Sequence, residues 1–270
     1  MNLKKFAHKN ILITGASSGI GEAMAYLLSK TKTNLFLAGR DMTRLSAVKD
    51  KCISINSSTA DFSAHTFIVD FSSKESIDNF VSEIRDKNIR FDYLILNAGI
   101  SQRSPALLTD FSVDRKIMET NYFGPVYLTK CLALMLLSGK KTHIAITSSI
   151  SGLFGFPLRS AYCASKHALF GFFESLELEN DNIKVTFLIP GRINTPISKS
   201  AILGDGSSYS KMDGGQANGM DVEKCARIAL RAIAKEKHRK LIGGKELLMV
   251  YIKKFIPPLF YKLARKISAT

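Results

Sequence analysis

Residues 10–21 read Asn-Ile-Leu-Ile-Thr-Gly-Ala-Ser-Ser-Gly-Ile-Gly, and a run of helical period follows from Glu22. The opening NILIT has the unbroken aliphatic and β-branched character of a strand buried on both faces. Glycines at 15, 19 and 21 then let the backbone turn sharply into a helix, whose N-terminus stabilises negative charge placed there. Gly15, Ser17, Ser18, Gly19, Ile20 and Gly21 are therefore candidate contacts for a pyrophosphate. The spacing differs from G-x-G-x-x-G, and no lysine follows the last glycine as it does in a P-loop. Taken alone, the motif fits a dinucleotide turn or a plain tight turn.

The same strand-then-helix pattern extends along the chain. Strand-like runs lie at Asn10–Thr14, Asn34–Ala38, Thr66–Val69, Tyr93–Leu96, His143–Thr147, Lys184–Leu188 and Lys240–Ile242. Between them, stretches of helical period lie at Gly19–Lys30, Arg44–Asn56, Lys74–Lys87, Ser112–Leu137, Tyr162–Asn180 and Asp221–Lys235. This predicts an α/β fold, a doubly wound parallel sheet of seven strands (a Rossmann fold), in one domain over residues 1–244. Two segments break the pattern. Residues 197–220 hold five Gly and five Ser and read as a mobile substrate lid. Residues 245–270 form a basic, amphipathic C-terminal tail.

Composition narrows the function classes. The 270 residues are 46% hydrophobic and 23% charged, which excludes a disordered or collagen-like chain. Cys52, Cys131, Cys163 and Cys225 are scattered, with no C-x-x-C pair and no His cluster, so reduced thiols and no metal site are expected. The N-terminal stretch lacks the apolar region of a signal peptide, and no run of about 18 apolar residues occurs, so a cytoplasmic location is expected. Net charge is +15, yet residues 224–270 alone carry 13 Lys/Arg against 2 Asp/Glu, a balance of +11. Basicity confined to a tail, without a basic-aromatic groove, argues against nucleic acid as a partner.

The second strand ends Ala38-Gly39-Arg40-Asp41. An acid at its tip would repel a ribose 2′-phosphate; Gly39 stands there instead, and Arg40 offers a fork of donors suited to phosphate. Asp41 can still touch a ribose, and NADP(H) is expected over NAD. Further on, Tyr162 and Lys166 lie four residues apart, on one side of a helix. A nearby ammonium favours the phenolate, bringing a phenol toward acid/base work. Ser149 ends a strand thirteen residues before the tyrosine, at the carboxyl edge where ligands bind in such sheets. His143, His167 and Cys163 lie near these residues and read as packing or surface groups.

In order and spacing, these motifs resemble the short-chain dehydrogenase/reductase family across residues 10–196. The matching residues are T-G-x-x-x-G-x-G at Thr14–Gly21, Asp70, N-A-G at Asn97–Gly99 and Asn121. They continue with Ser149, Y-x-x-x-K at Tyr162–Lys166 and P-G-x-x-x-T at Pro190–Thr195. The resemblance implies that Tyr162 is the general acid/base and that Lys166 lowers its pKa and binds the nicotinamide ribose. Ser149 would hold the substrate oxygen, and Asn121 would hold a water in a proton relay. Asp70 would bond the adenine amino group, Asn97, Ala98 and Gly99 would line the cofactor, and Pro190, Gly191, Ile193 and Thr195 would hold the nicotinamide. A homodimer or homotetramer is also implied. Leu96 stands where the family often has a further Asn.

These expectations define an NADP-dependent oxidoreductase acting on a ketone or secondary alcohol. Phe154 and Phe156, with Ile100, Ser101, Leu153 and the lid, would make the pocket apolar and the substrate lipophilic. The alternative is a dinucleotide-binding sensor or scaffold that has lost turnover. In the tail, Leu259, Phe260, Leu263 and Ile267 share one helical face after Pro257-Pro258, with Lys262, Arg265 and Lys266 on another. That face fits an anionic membrane surface, or it packs on the domain or on a second subunit.

Overall fold

The computed structural model describes residues 3–56 and 61–266. Its strands are β1 (Asn10–Thr14), β2 (Asn34–Gly39), β3 (Ser63–Ile68), β4 (Tyr93–Leu96), β5 (Thr142–Thr147), β6 (Ile183–Pro190) and β7 (Arg239–Ile242). They form one parallel sheet in the order β3-β2-β1-β4-β5-β6-β7. The order reverses between β1 and β4, so a crevice opens beyond their carboxyl ends. The flanking helices are α1 (Gly19–Leu28), α2 (Met42–Ile55), α3 (Lys74–Asp86), α4 (Phe111–Met118), α5 (Gly124–Cys131) and α6 (Ala133–Leu136). The series continues with α7 (Ser160–Glu179), α8 (Gly214–Ala217), α9 (Val222–Ala234), α10 (Leu248–Phe255) and α11 (Pro257–Ala264).

Alternation along β1 assigns its side chains to two cores. Ile11 and Ile13 join Met24, Leu28, Leu45 and Leu230 on one face, and Leu12 joins Phe80, Phe91, Ile144 and Phe173 on the other. Helices therefore cover both faces, as an unbroken apolar β1 requires.

Two regions differ from the sequence reading. The expected single helix at Ser112–Leu137 is α4, a π turn over Glu119–Phe123, α5 and α6. Pro125 has no N–H, so the Asn121 carbonyl cannot receive the ordinary helical bond, and the Gly124 N–H instead reaches back to the Glu119 carbonyl. Gly124 also lies against the Phe71 carbonyl, in a space a Cβ would fill. The break sets the orientation of Asn121.

The tail forms α10 and α11, with Pro257 opening the second helix. Phe260 and Ala264 are buried against the domain, Phe260 packing edge-on to Phe154 at 5.0 Å between ring centroids. Leu248, Tyr251, Phe255, Ile256 and Leu259 are exposed. The apolar face read from the sequence is thus divided: Phe260 packs on the domain, and much of the outward apolar surface comes from α10. Ile267 lies outside the described residues.

Candidate active site

A cleft of about 610 Å³ runs along the carboxyl edge of the sheet, from Arg40 at one end to Phe154 and Phe156 at the other. At its centre is the turn after β1. Gly15 and Gly19 have φ of +64° and +61°, the left-handed region that favours glycine. Ser18 caps α1 without a side-chain hydrogen bond, and Ser17, Ser18, Gly19 and Ile20 line the cleft. Gly21 does not. It lies beneath the turn, so close to the Gly15 carbonyl that a Cβ would collide with it. Its role is packing α1 onto the turn rather than contact with a ligand.

Past that turn, Thr14 Oγ1 accepts from the Asn97 and Ala98 N–H groups at 2.9 and 3.1 Å. The Asn97 amide donates to the Thr14 and Gly15 carbonyls and accepts from Thr147 Oγ1 at 3.1 Å. Asn97, Ala98 and Gly99 line the cleft with Asp70, whose carboxylate accepts from the Ser72 N–H and hydroxyl. Pro190, Gly191, Ile193 and Thr195 line its far wall. Gln216 holds this stretch, its amide donating to the Ile193 carbonyl at 2.7 Å and to Thr195 Oγ1 at 3.4 Å.

At the other end, α7 carries Tyr162 and Lys166 on its buried side. Lys166 Nζ donates to the Thr147 carbonyl at 2.8 Å and sits 5.8 Å from the centre of the Tyr162 ring. Burial pulls the ammonium down to about 8. Burial also raises the Tyr162 phenol, against which act a hydrogen bond with Ser149 and the charges of Arg159 and Arg103. Ser149 lines the cleft and caps a short 3₁₀ turn, its Oγ accepting from the Ser151 N–H at 3.1 Å. Asn121 is not in the wall. Its amide oxygen accepts from the Ile100 N–H at 2.8 Å, and its nitrogen donates to the Ile100 carbonyl and Ser165 Oγ. It braces the loop after β4 beside Lys166.

Phe154, Phe156, Ile100 and Ser101 also line the cleft, whereas Leu153 packs with Phe154 and Phe260 in the core behind it. His143 is buried, shares a 2.8 Å hydrogen bond with Thr186 Oγ1 and is pushed down to about 4 by burial, which keeps it neutral. His167 Nδ1 donates to the Cys163 carbonyl, and burial raises the Cys163 thiol. None of the three lines the cleft. Among the described residues no group of His, Cys, Asp and Glu is arranged to hold a metal.

Arg44, Glu246 and Asp213, which sequence reasoning passed over, also bear on the site. Arg44 lines the cleft beside Arg40, and Asp41 caps α2 and pairs with Arg44 at 3.2 Å. Glu246 accepts from the Arg192 and Gly244 N–H groups, tying the start of the tail to the loop after β6. Segment 197–220 is tied to the domain through a buried residue. Asp213 within it is 2% exposed and is bound by Arg103 and Arg159. A sign of Arg159 was present in its place one helical turn before Tyr162; Asp213 gave none.

The residues thus assembled fit a dinucleotide. Two left-handed glycines and a helix start face a long cleft, arginines line it past the end of β2, and a Tyr, Ser and Lys line it beyond β5. The family model described as short chain dehydrogenase matches residues 9–204. This chain belongs to the short-chain dehydrogenase/reductase family. It is 40% identical over 260 residues to dehydrogenase/reductase SDR family member 7B of Xenopus laevis, covering 94% of this chain and 80% of the relative. It is 36% identical over 276 residues to an SDR family protein 7-like of Anopheles gambiae, covering 100% and 87%.

The fold is shared with a Burkholderia phymatum short-chain dehydrogenase/reductase solved with NAD: TM-score 0.78, 21% identity, 94% of this chain and 95% of that one. A Sphingobium yanoikuyae short-chain dehydrogenase solved with NADPH gives a TM-score of 0.75 at 21% identity, covering 97% of each chain.

The lysine gives a stability test. Its folded value near 8 lies below the ordinary value of about 10.4, so burial disfavours the charged form and costs stability at neutral pH. Between those values the unfolded chain binds more protons, so stability rises with pH across that window. Lys166→Met in the cofactor-free protein should therefore be more stable than the wild type at pH 7, by about 2–3 kcal/mol. That difference should close above about pH 10. Denaturant unfolding at several pH values measures both.

Proposed function

We propose that this family member is an NADP(H)-dependent oxidoreductase interconverting a lipophilic ketone and its secondary alcohol. The observation that carries this reading is the placement of Tyr162 and Ser149 beside Lys166, in one cleft with the glycine turn. When bound, the dinucleotide supplies or accepts the hydride. The turn at Gly15–Ile20 would hold its pyrophosphate, and Asp70 and Asn97–Gly99 would line the adenosine side. Pro190, Gly191, Ile193 and Thr195 would face the nicotinamide.

Tyr162 would give a proton to the carbonyl oxygen in reduction and take it from the hydroxyl in oxidation, with Ser149 orienting that oxygen. Lys166 would bind the nicotinamide ribose, and Asn121, which braces the loop beside it, would serve the proton path. Phe154 and Phe156 would receive the apolar part of the substrate.

Tyr162→Phe should lower kcat by about 10²–10⁴-fold and leave cofactor affinity unchanged. Retained turnover with NADPH across a panel of ketones would overturn the acid/base assignment. A dinucleotide sensor would instead bind NADPH and never oxidise it.

The NADP(H) preference rests on Arg40 and Arg44 at the adenosine end, where no acid stands free at the strand tip because Asp41 caps α2. A charge-assisted phosphate contact contributes about 1.5–3 kcal/mol, so NADPH should bind at least about tenfold tighter than NADH. Arg40→Ala should narrow that gap in a titration of intrinsic fluorescence or heat.

The outer face of the tail would rest on an anionic membrane surface. Phe255 is 69% exposed, Leu248, Tyr251, Ile256 and Leu259 are exposed with it, and Lys253, Lys254 and Lys262 lie on the same two helices. Among the described residues no helix is long and apolar enough to cross a membrane. Full-length protein should sediment with phosphatidylserine vesicles at low salt and be released as salt rises, each cation contributing about 1 kcal/mol. Phe255→Glu with Ile256→Glu should abolish that binding. A subunit-packing face would instead change the oligomer mass in these variants and leave vesicle binding at nil in both proteins.

A further inference from the structure

The loop after β6 is clamped by parts of the chain that lie far from it in sequence, and one clamp comes from the tail. The Gly191 N–H donates to the Ile242 carbonyl at the end of β7, at 2.8 Å. The Asn194 N–H donates to the Met220 carbonyl at 2.9 Å, and the Met220 N–H donates back to the Arg192 carbonyl at 2.8 Å. Between them the Arg192 N–H donates to a side chain instead, Glu246 Oε1 at 2.9 Å, 54 residues further along the chain.

Glu246 lies in a short 3₁₀ turn, Lys245–Leu247, that leads into α10, and the same oxygen accepts from the Gly244 N–H at 3.0 Å. Glycines make its seat. A Cβ on Gly191 or on Gly243 would collide with Glu246 Oε1, and the three atoms nearest to the Gly191 position all belong to Glu246. Gly191, Arg192 and Glu246 line the cleft together. Among the described residues, Ile193 carries the one N–H between Gly191 and Asn194 that meets no protein acceptor.

We propose that Glu246 is a positioning residue for the cofactor. It holds the loop Pro190–Thr195 in the form that receives the nicotinamide end of the dinucleotide, so the start of the tail is a working part of the cofactor site. The inference rests on the reading of that loop as the nicotinamide wall.

Pinning on both sides of Ile193 presents its free N–H in one direction before any ligand arrives, which removes an ordering cost from binding. Without the carboxylate, the Arg192 N–H would turn to water and the loop would sample other arrangements. Affinity falls in proportion to the fraction of molecules that keep the competent one. A charge-assisted hydrogen bond is strong enough to change that fraction about tenfold.

Calorimetric titration of the full-length protein with two ligands reads this. One is whichever of NADPH and NADH the wild type binds more tightly. The other is the matching adenosine fragment, 2′,5′-ADP or 5′-AMP, which has no nicotinamide. Glu246→Ala should weaken the dinucleotide about tenfold and leave the fragment within about twofold of the wild type. Glu246→Gln keeps an acceptor in the same seat and should restore most of the lost affinity. Gly243→Ala, outside the cleft wall, puts a methyl into that seat and should act as Glu246→Ala does on both ligands.

Selective loss of the dinucleotide, with rescue by glutamine, supports the proposal. Equal weakening of both ligands makes Glu246 merely structural and overturns it, as does unchanged dinucleotide affinity in Glu246→Ala or glutamine no better than alanine. Should Glu246→Ala fail to fold, Gly243→Ala decides by the same comparison of ligands. A wild type that binds fragment and dinucleotide equally overturns the nicotinamide reading of the loop and the proposal with it. A wild type that prefers the dinucleotide yet reduces no ketone overturns only the oxidoreductase reading, and the titrations still judge Glu246.

Discussion

The Asn97 side chain donates to the carbonyls of Thr14 and Gly15 and accepts from Thr147, so a single amide joins the carboxyl ends of β1, β4 and β5. Thr14 returns the connection by accepting from the Asn97 and Ala98 N–H groups. Buried polar groups are costly unless paired, and here each partner satisfies the others. Both halves of the site hang from this junction. Gly15 begins the glycine turn directly after Thr14, and the Thr147 carbonyl holds the Lys166 ammonium. A displacement at Asn97 would reach both ends of the cleft at once.

Much of this was legible in the sequence because it depended on local chemistry. Unbroken apolar strands, the glycine turn and the Tyr162–Lys166 spacing each follow from one segment's own residues, and the strands were placed within about three residues of where they lie. Gly21 shows the limit of motif reading. It belongs to the glycine pattern, yet its lack of a side chain serves the Gly15 carbonyl beneath the turn rather than a ligand. The long helix was misread for a related reason. Its apolar period continues through Asn121, but Pro125 removes the N–H that would have sustained the hydrogen bonds, and the chain answers with a π turn. Least legible were the pairings across great sequence distance. Arg103 meets Asp213 across 110 residues, and no local pattern marks either as a partner of the other.

The tail illustrates how tertiary packing reassigns an amphipathic pattern. Leu259, Phe260 and Leu263 share a face by periodicity, yet only Phe260 enters the core at Phe154. Burying an aromatic side chain contributes about 1.5–3 kcal/mol, enough to orient a two-turn helix that is marginal on its own. Met249 lines the cleft and Glu246 holds the loop after β6, so this segment is at once part of the cleft wall and a brace for a neighbouring loop. The exposed Phe255 and Ile256 follow Met249 on the same stretch of chain, so the outer apolar surface and the cleft wall share one element.

Charge counts and site electrostatics part company in this molecule. Of the net +15, +11 belongs to residues 224–270, and a tally would assign the electrical character of the protein to its tail. Distance and burial reverse that ranking in the interior. Two unit charges 4 Å apart interact by about 4 kcal/mol at an effective dielectric near 20 but by about 1 kcal/mol in water. Exposed charges more than about 8–10 Å away are largely screened by physiological salt. Lys253, Lys254 and Lys262 stand partly or fully exposed on the outer helices, where water and salt screen them. Arg103 and Asp213 are almost wholly buried, so each is felt by its neighbours far more strongly than any of those lysines. Burial, and not the tally, decides where in this molecule a charge matters.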